Sequence, residues 1–87
     1  MNTFRLTIAT PDGAAFDGEA DMLSVRGVMG DLAIMAGHVP FVTAVMAGKC
    51  AVDDIDGERR TATLDGGLLT VADNEATLLS GSFRWDD

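Results

Sequence analysis

The sequence predicts an all-β protein, either a β-sandwich or a flattened barrel, with roughly nine or ten short strands of about five residues. Three observations carry this expectation. Apolar residues recur at every second position in short runs. Turn-forming Gly, Pro, Asn and Asp punctuate the chain every 8–12 residues or so. No stretch leaves room for a long amphipathic helix: the chain has ten Gly and two Pro, and its longest segment free of both, residues 68–80, contains an Asp73-Asn74 turn signal.

The elements follow in order. Phe4, Leu6 and Ile8 share one face of a first strand, with Arg5 and Thr7 on the other. Thr10-Pro11-Asp12-Gly13 supplies Pro and Gly for the turn that ends it. Leu23 and Val25 alternate with Ser24 and Arg26, and Leu32 and Ile34 with Asp31 and Ala33, across a bend marked by Gly27 and Gly30. The run from Leu32 to Ala47 is the most apolar in the chain, with His38 and Thr43 as its only clearly polar side chains. It is shorter than the ~20 residues of a spanning helix, and Gly37 and Pro40 interrupt it, so we read it as buried strands around a tight loop. Cys50 and Val52, Ala62 and Leu64, Leu69 and Val71, and Ala76 and Leu78 define the inward faces of later strands. Asp56-Gly57 predicts a two-residue hairpin turn, and Asp73-Asn74 a primed turn with positive φ. Gly66-Gly67 marks a further bend. Phe83 and Trp85 either pack on the body or on a partner, or belong to a frayed tail.

Composition narrows the function. Six Lys+Arg face 14 Asp+Glu, a formal net charge of −8. That balance argues against nucleic-acid and anionic-lipid binding. The 87 residues fit a single domain, 1–87. One Cys excludes an internal disulfide framework and favours a reducing compartment. One His and one Cys cannot form a zinc tetrad. Residues 53–57 superficially resemble a calcium loop, but Val52 stands where the first Asp belongs and Thr63 where the bidentate Glu belongs. No GxSxG, GxGxxG or P-loop pattern occurs, and residues 1–10 alternate in polarity without the apolar core of a secretory signal. No metal, cofactor or catalytic set is expected. Two small features stand out: His38 in Gly37-His38-Val39-Pro40, and Asp31 beside Gly30. Met29, Met35 and Met46 are core filler or an adaptable interface.

Residues 30–44, Gly-Asp-Leu-Ala-Ile-Met-Ala-Gly-His-Val-Pro-Phe-Val-Thr-Ala, resemble the epsilon subunit of F-type ATP synthases, called delta in mitochondria. The likeness extends in order through Thr10-Pro11, residues 16–19, Leu64-Asp65-Gly66-Gly67-Leu68-Leu69-Thr70-Val71 and residues 74–79. Ala36 and Asp65 depart from it, standing where that family often has Pro and Ser. Family members commonly continue into a C-terminal helical hairpin that can inhibit hydrolysis or bind ATP. The present 87 residues do not contain it, so neither property is carried over.

The resemblance implies a flattened β-sandwich of about ten short, mostly antiparallel strands. It implies a non-catalytic rotor subunit of the central stalk, bound to the gamma subunit and the c-ring. Membrane association would come only through the complex, at the cytoplasmic face of a bacterial inner membrane. By position, Asp31 and His38 match residues that face the ring. Thr10 and Thr43 match positions near gamma, with Phe41 and Val42 in the same contact. An apolar patch is expected to include Met35, Val39, Phe41 or Val42. The competing classes are a free-standing β-sandwich interaction module and a small enzyme on a β scaffold.

Overall fold

A computed structural model describes residues 2–86. These form nine strands and no helix: β1 (Phe4–Thr10), β2 (Gly13–Gly27), β3 (Gly30–Ile34), β4 (Phe41–Val45), β5 (Gly48–Asp54), β6 (Arg59–Leu64), β7 (Gly67–Ala72), β8 (Glu75–Leu79) and β9 (Phe83–Trp85). The count falls within the roughly nine or ten that the alternation predicts and is close to the about ten that the resemblance implies.

The strands join into one hydrogen-bonded sheet in the order β1-β8-β7-β4-β2-β5-β6-β9, with β3 also on β2 and β1 pairing back onto β2. The sheet therefore folds onto itself. The 15-residue β2 serves both layers: residues 13–20 pair with β1, residues 20–24 with β5 and residues 23–27 with β3. A register shift between Ala20 and Met22 leaves Asp21 as the extra residue of a bulge, which bends the strand from one layer to the other. Sequence reading anticipated short strands throughout; no Gly or Pro interrupts residues 19–26 to reveal the bend. One layer is thus β4-β7-β8-β1 with the first half of β2, and the other β3, the second half of β2, β5, β6 and β9. They meet at Gly27↔Val45, where the Met46 N–H also donates to Arg26 O at 2.7 Å.

In β1–β3 and β5–β8 the core uses the faces that alternation predicts. Phe4, Leu6, Ile8, Leu23, Val52, Leu69 and Leu78 are all buried, and each sits at an alternate position of its strand. The β7–β8 turn is also as expected: Asp73 and Asn74 have φ of 54° and 62°, the signature of a two-residue type I′ turn. The β5–β6 connection is longer than expected, spanning residues 55–58. Asp54 reorganises it: its Oδ1 accepts from the Asp56 and Glu58 N–H groups at 2.9 and 3.1 Å, while its carbonyl accepts from Gly57.

The chain end is a strand rather than a tail. β9 pairs with β6, and Trp85 Nε1–H donates to Ala15 O at 3.3 Å in the opposite layer. The Arg60 guanidinium lies 3.8 Å from the Trp85 ring centroid, and the Phe83 ring packs edge-on at 5.0 Å.

Candidate docking surfaces

The apolar run 32–47 is not buried as predicted. Met35, Val39, Val42 and Met46 are exposed. The reason is the period of two: only Phe41, Thr43 and Val45 of β4 turn toward the core, so Val42 and Ala44 face outward. These exposed residues fall on two surfaces.

The first is the edge of β3. Its partner is β2, and its far edge pairs with no other described strand. Asp31 stands near the start of β3 and the His38 loop follows its end, so the structure places the two residues at opposite ends of one edge rather than together. Asp31 is exposed, and Arg26 Nε lies 3.9 Å from its Oδ1, a solvated pair of small energetic consequence. The β2–β3 hairpin tip projects Val28 and Met29, the latter 96% exposed. With Met35 and Met46 also exposed, these methionines are surface residues and not core filler.

The His38 loop is built on a tight turn. The His38 N–H donates to Met35 O at 3.2 Å, and Gly37 has φ of +79°, the third-position value of a type II turn. Ala36 occupies the second position, where Pro is common. His38 Nδ1 lies 2.8 Å from Val39 O. A carbonyl only accepts, so Nδ1–H is the donor in this contact. The imidazole leans on Phe41 with centroids 4.8 Å apart.

The second surface is the outer face of β4-β7-β8-β1. Its register aligns Ala44, Leu68, Leu79 and Ala9 in one row across the four strands. The next row is Val42, Thr70, Thr77 and Thr7, and the third brings Ala72, Glu75 and Arg5. Polarity thus rises in steps from an uncharged apolar row, through threonine, to a charged margin where Arg5 pairs with Asp17. Of the residues expected near gamma, Val42 lies on this face. Phe41 and Thr43 turn to the other side of β4, both half-buried, and Phe41 packs against the core. Thr10 lies at the end of the apolar row, in a shallow groove of about 350 Å³ with Ala9, Pro11 and Leu79. Its hydroxyl donates to Gly13 O at 3.1 Å and accepts from the Asp12 N–H at 3.2 Å. Sequence reading missed Leu68 and Leu79. Their signal was the doubled leucines Leu68-Leu69 and Leu78-Leu79, which put an apolar side chain on both faces of a strand.

Neither surface gathers a metal or nucleophilic site. No group of three or more His, Cys, Asp or Glu is placed to hold a metal among the described residues. Cys50 is buried, and burial, aided by the charge of Asp86, pushes its thiol from 9.0 up to about 11. Folding therefore favours the neutral thiol. Its contribution to stability is complete below pH 9.0 and declines as pH rises toward 11. Iodoacetamide at pH 8 is expected to leave Cys50 unmodified in the native protein and to alkylate it in 6 M guanidinium. Rapid native-state labelling by mass spectrometry would contradict the burial.

The fold and these surfaces define a small β-sandwich with exposed apolar side chains on one sheet face and along one sheet edge, and Ile55 exposed apart from both in the β5–β6 connection. Residues 3–86 match the β-sandwich domain of the ATP synthase delta/epsilon chain, and the protein belongs to that family. It is 35% identical over 85 residues to the sodium-ion-specific ATP synthase epsilon chain of Acetobacterium woodii, covering 98% of this chain and 64% of the relative. It is 38% identical over 80 residues to the epsilon chain of Bacillus velezensis, covering 92% and 60%. The chain thus spans 60–64% of the length of these two relatives. In structure it resembles a chain of the Euglena gracilis mitochondrial ATP synthase OSCP/F1/c-ring assembly, with a TM-score of 0.91 at 18% identity over 98% of this chain and 54% of that one. A chain of the Tetrahymena thermophila ATP synthase central stalk/c-ring matches with a TM-score of 0.76 at 14% identity, over 91% and 63%. At those identities the likeness is one of fold.

Proposed function

We propose that this domain works as a non-catalytic rotor element of an F-type ATP synthase, joining gamma to the c-ring and helping couple ion translocation to ATP synthesis. The observation that carries the reading is the uncharged row Ala44-Leu68-Leu79-Ala9 on the sheet face of a chain from this family. An apolar centre with a charged margin is the anatomy of a docking surface, and gamma is its proposed occupant. The β3 edge, bounded by Asp31 and His38, is assigned to the polar loops of the ring. Asp31 would accept from Arg or Lys there, and His38 would hydrogen-bond at the same contact. As one domain, residues 1–87 would reach the cytoplasmic face of a bacterial inner membrane through this complex.

Such a part needs stiffness more than chemistry. The sheet closes on itself through β1–β2 and β2–β4 pairing, and Trp85 ties the two layers at the far side. Torque applied at one surface is then carried by a single closed body to the other.

Pull-down of this chain with gamma and with purified c-ring tests the reading, and a folded chain that retains neither would refute it. Asp31→Arg is expected to weaken ring binding about five- to tenfold while the melting temperature holds. His38→Ala is expected to have a milder effect. Unchanged rotor assembly and coupled ATP synthesis in Asp31→Arg would remove Asp31 from the contact.

A further inference from the structure

The turn that carries His38 is not held by its own hydrogen bond alone. A type II turn leaves the N–H of its third residue unused. Here that N–H, on Gly37, donates to Asn74 Oδ1 at 3.0 Å. Asn74 lies in the β7–β8 turn and reaches two further segments. Its Nδ2 donates to Thr3 O at 2.8 Å, and its own carbonyl accepts from the Arg5 N–H at 3.1 Å. One residue therefore ties the His38 loop, the β7–β8 turn and the segment entering β1. The tie matters more because Ala36 leaves open the φ that a proline would preset.

The geometry points to Asn74 as the positioning residue of the His38 loop, holding Gly37 and so presenting His38 and Val39 at the end of the β3 edge. The functional half of this inference rests on the proposed ring contact; the clamp itself does not. Only an amide makes both side-chain bonds at this position. Aspartate keeps the acceptor for Gly37 but sets a carboxylate against the Thr3 carbonyl. Glycine keeps the turn, since the second place of a type I′ turn favours it, and removes both side-chain bonds.

Amide hydrogen exchange followed by NMR on the full chain decides the clamp. In Asn74→Gly the Gly37 amide is expected to lose about five- to tenfold in protection, the worth of one hydrogen bond. Leu69, Val71 and Leu78 should keep theirs. Asn74→Asp should retain Gly37 protection. Unchanged Gly37 protection in Asn74→Gly would overturn the clamp.

Binding to purified c-ring decides the functional half. Asn74→Gly should weaken it as His38→Ala does, and the double variant should be no weaker than the worse single one. A loss in His38→Ala with none in Asn74→Gly would overturn the positioning role. No loss in His38→Ala would instead remove His38 from the ring contact, and Gly37 protection would still report on the clamp.

Discussion

Gly67→Ala is expected to destabilise the protein by about 3 kcal/mol, the upper range for forcing atoms into a packed site. For a domain of this size that lowers the melting temperature by about 12–24 °C. A Cβ at position 67 would lie 2.0 Å from the Leu79 carbonyl oxygen and 3.1 Å from its carbon. Both are backbone atoms with little room to retreat. Gly67 is paired to Val45 on one side, and beyond Leu79 the chain is pinned at buried Ser80. The Ser80 hydroxyl donates to Gly66 O at 2.7 Å, and its N–H donates to Ala9 O at 3.0 Å. The control is Gly81→Ala, one turn away in the same corner. The nearest atom to its added Cβ is an Asp65 carboxylate oxygen at 3.9 Å, so it should melt within a few degrees of the parent. Thermal unfolding by circular dichroism compares the two. Equal melting temperatures would show that the close approach at Gly67 does not exist.

Leu68→Glu is expected to reduce affinity for gamma about 100-fold while costing the isolated domain less than about 1 kcal/mol. The asymmetry comes from where the side chain stands. Leu68 is 43% exposed and occupies the middle of the apolar row, between Ala44 and Leu79. In the free chain a carboxylate there is hydrated. Under a docked partner it would be buried among uncharged neighbours with no cation in its row. Leu68→Met keeps the apolar character and should bind within a few-fold of the parent. Calorimetric titration against gamma separates these outcomes. A folded Leu68→Glu chain that binds normally would move the gamma contact off this face.

The two cases show what was legible in the chain. The inward side chains could be read because burial imprints a period of two, and Phe4-Leu6-Ile8 or Leu69-Val71 repeats it within one strand. The Asp73-Asn74 turn could be read because positive φ restricts residue type locally. The residues flanking the β3 edge were legible through the pattern around Gly37-His38, although their separation was not. Leu68 and Leu79 look like ordinary leucines 11 positions apart; their meeting needs the β7–β8 register. The long β2 was equally hidden, because a bulge at Asp21 leaves no mark in residue type.

The sequence by itself determined the all-β class, the buried faces of β1–β3 and β5–β8, the primed turn and the family. Each of these is written in neighbours along the chain, through alternation, φ preference and motif order. Tertiary structure decided how β2 passes between layers, which outward residues align into an apolar row, and that Asn74 reaches the His38 loop. Those features depend on pairing between segments far apart in sequence. Such pairings are fixed by the packing of the whole body, not by any local preference.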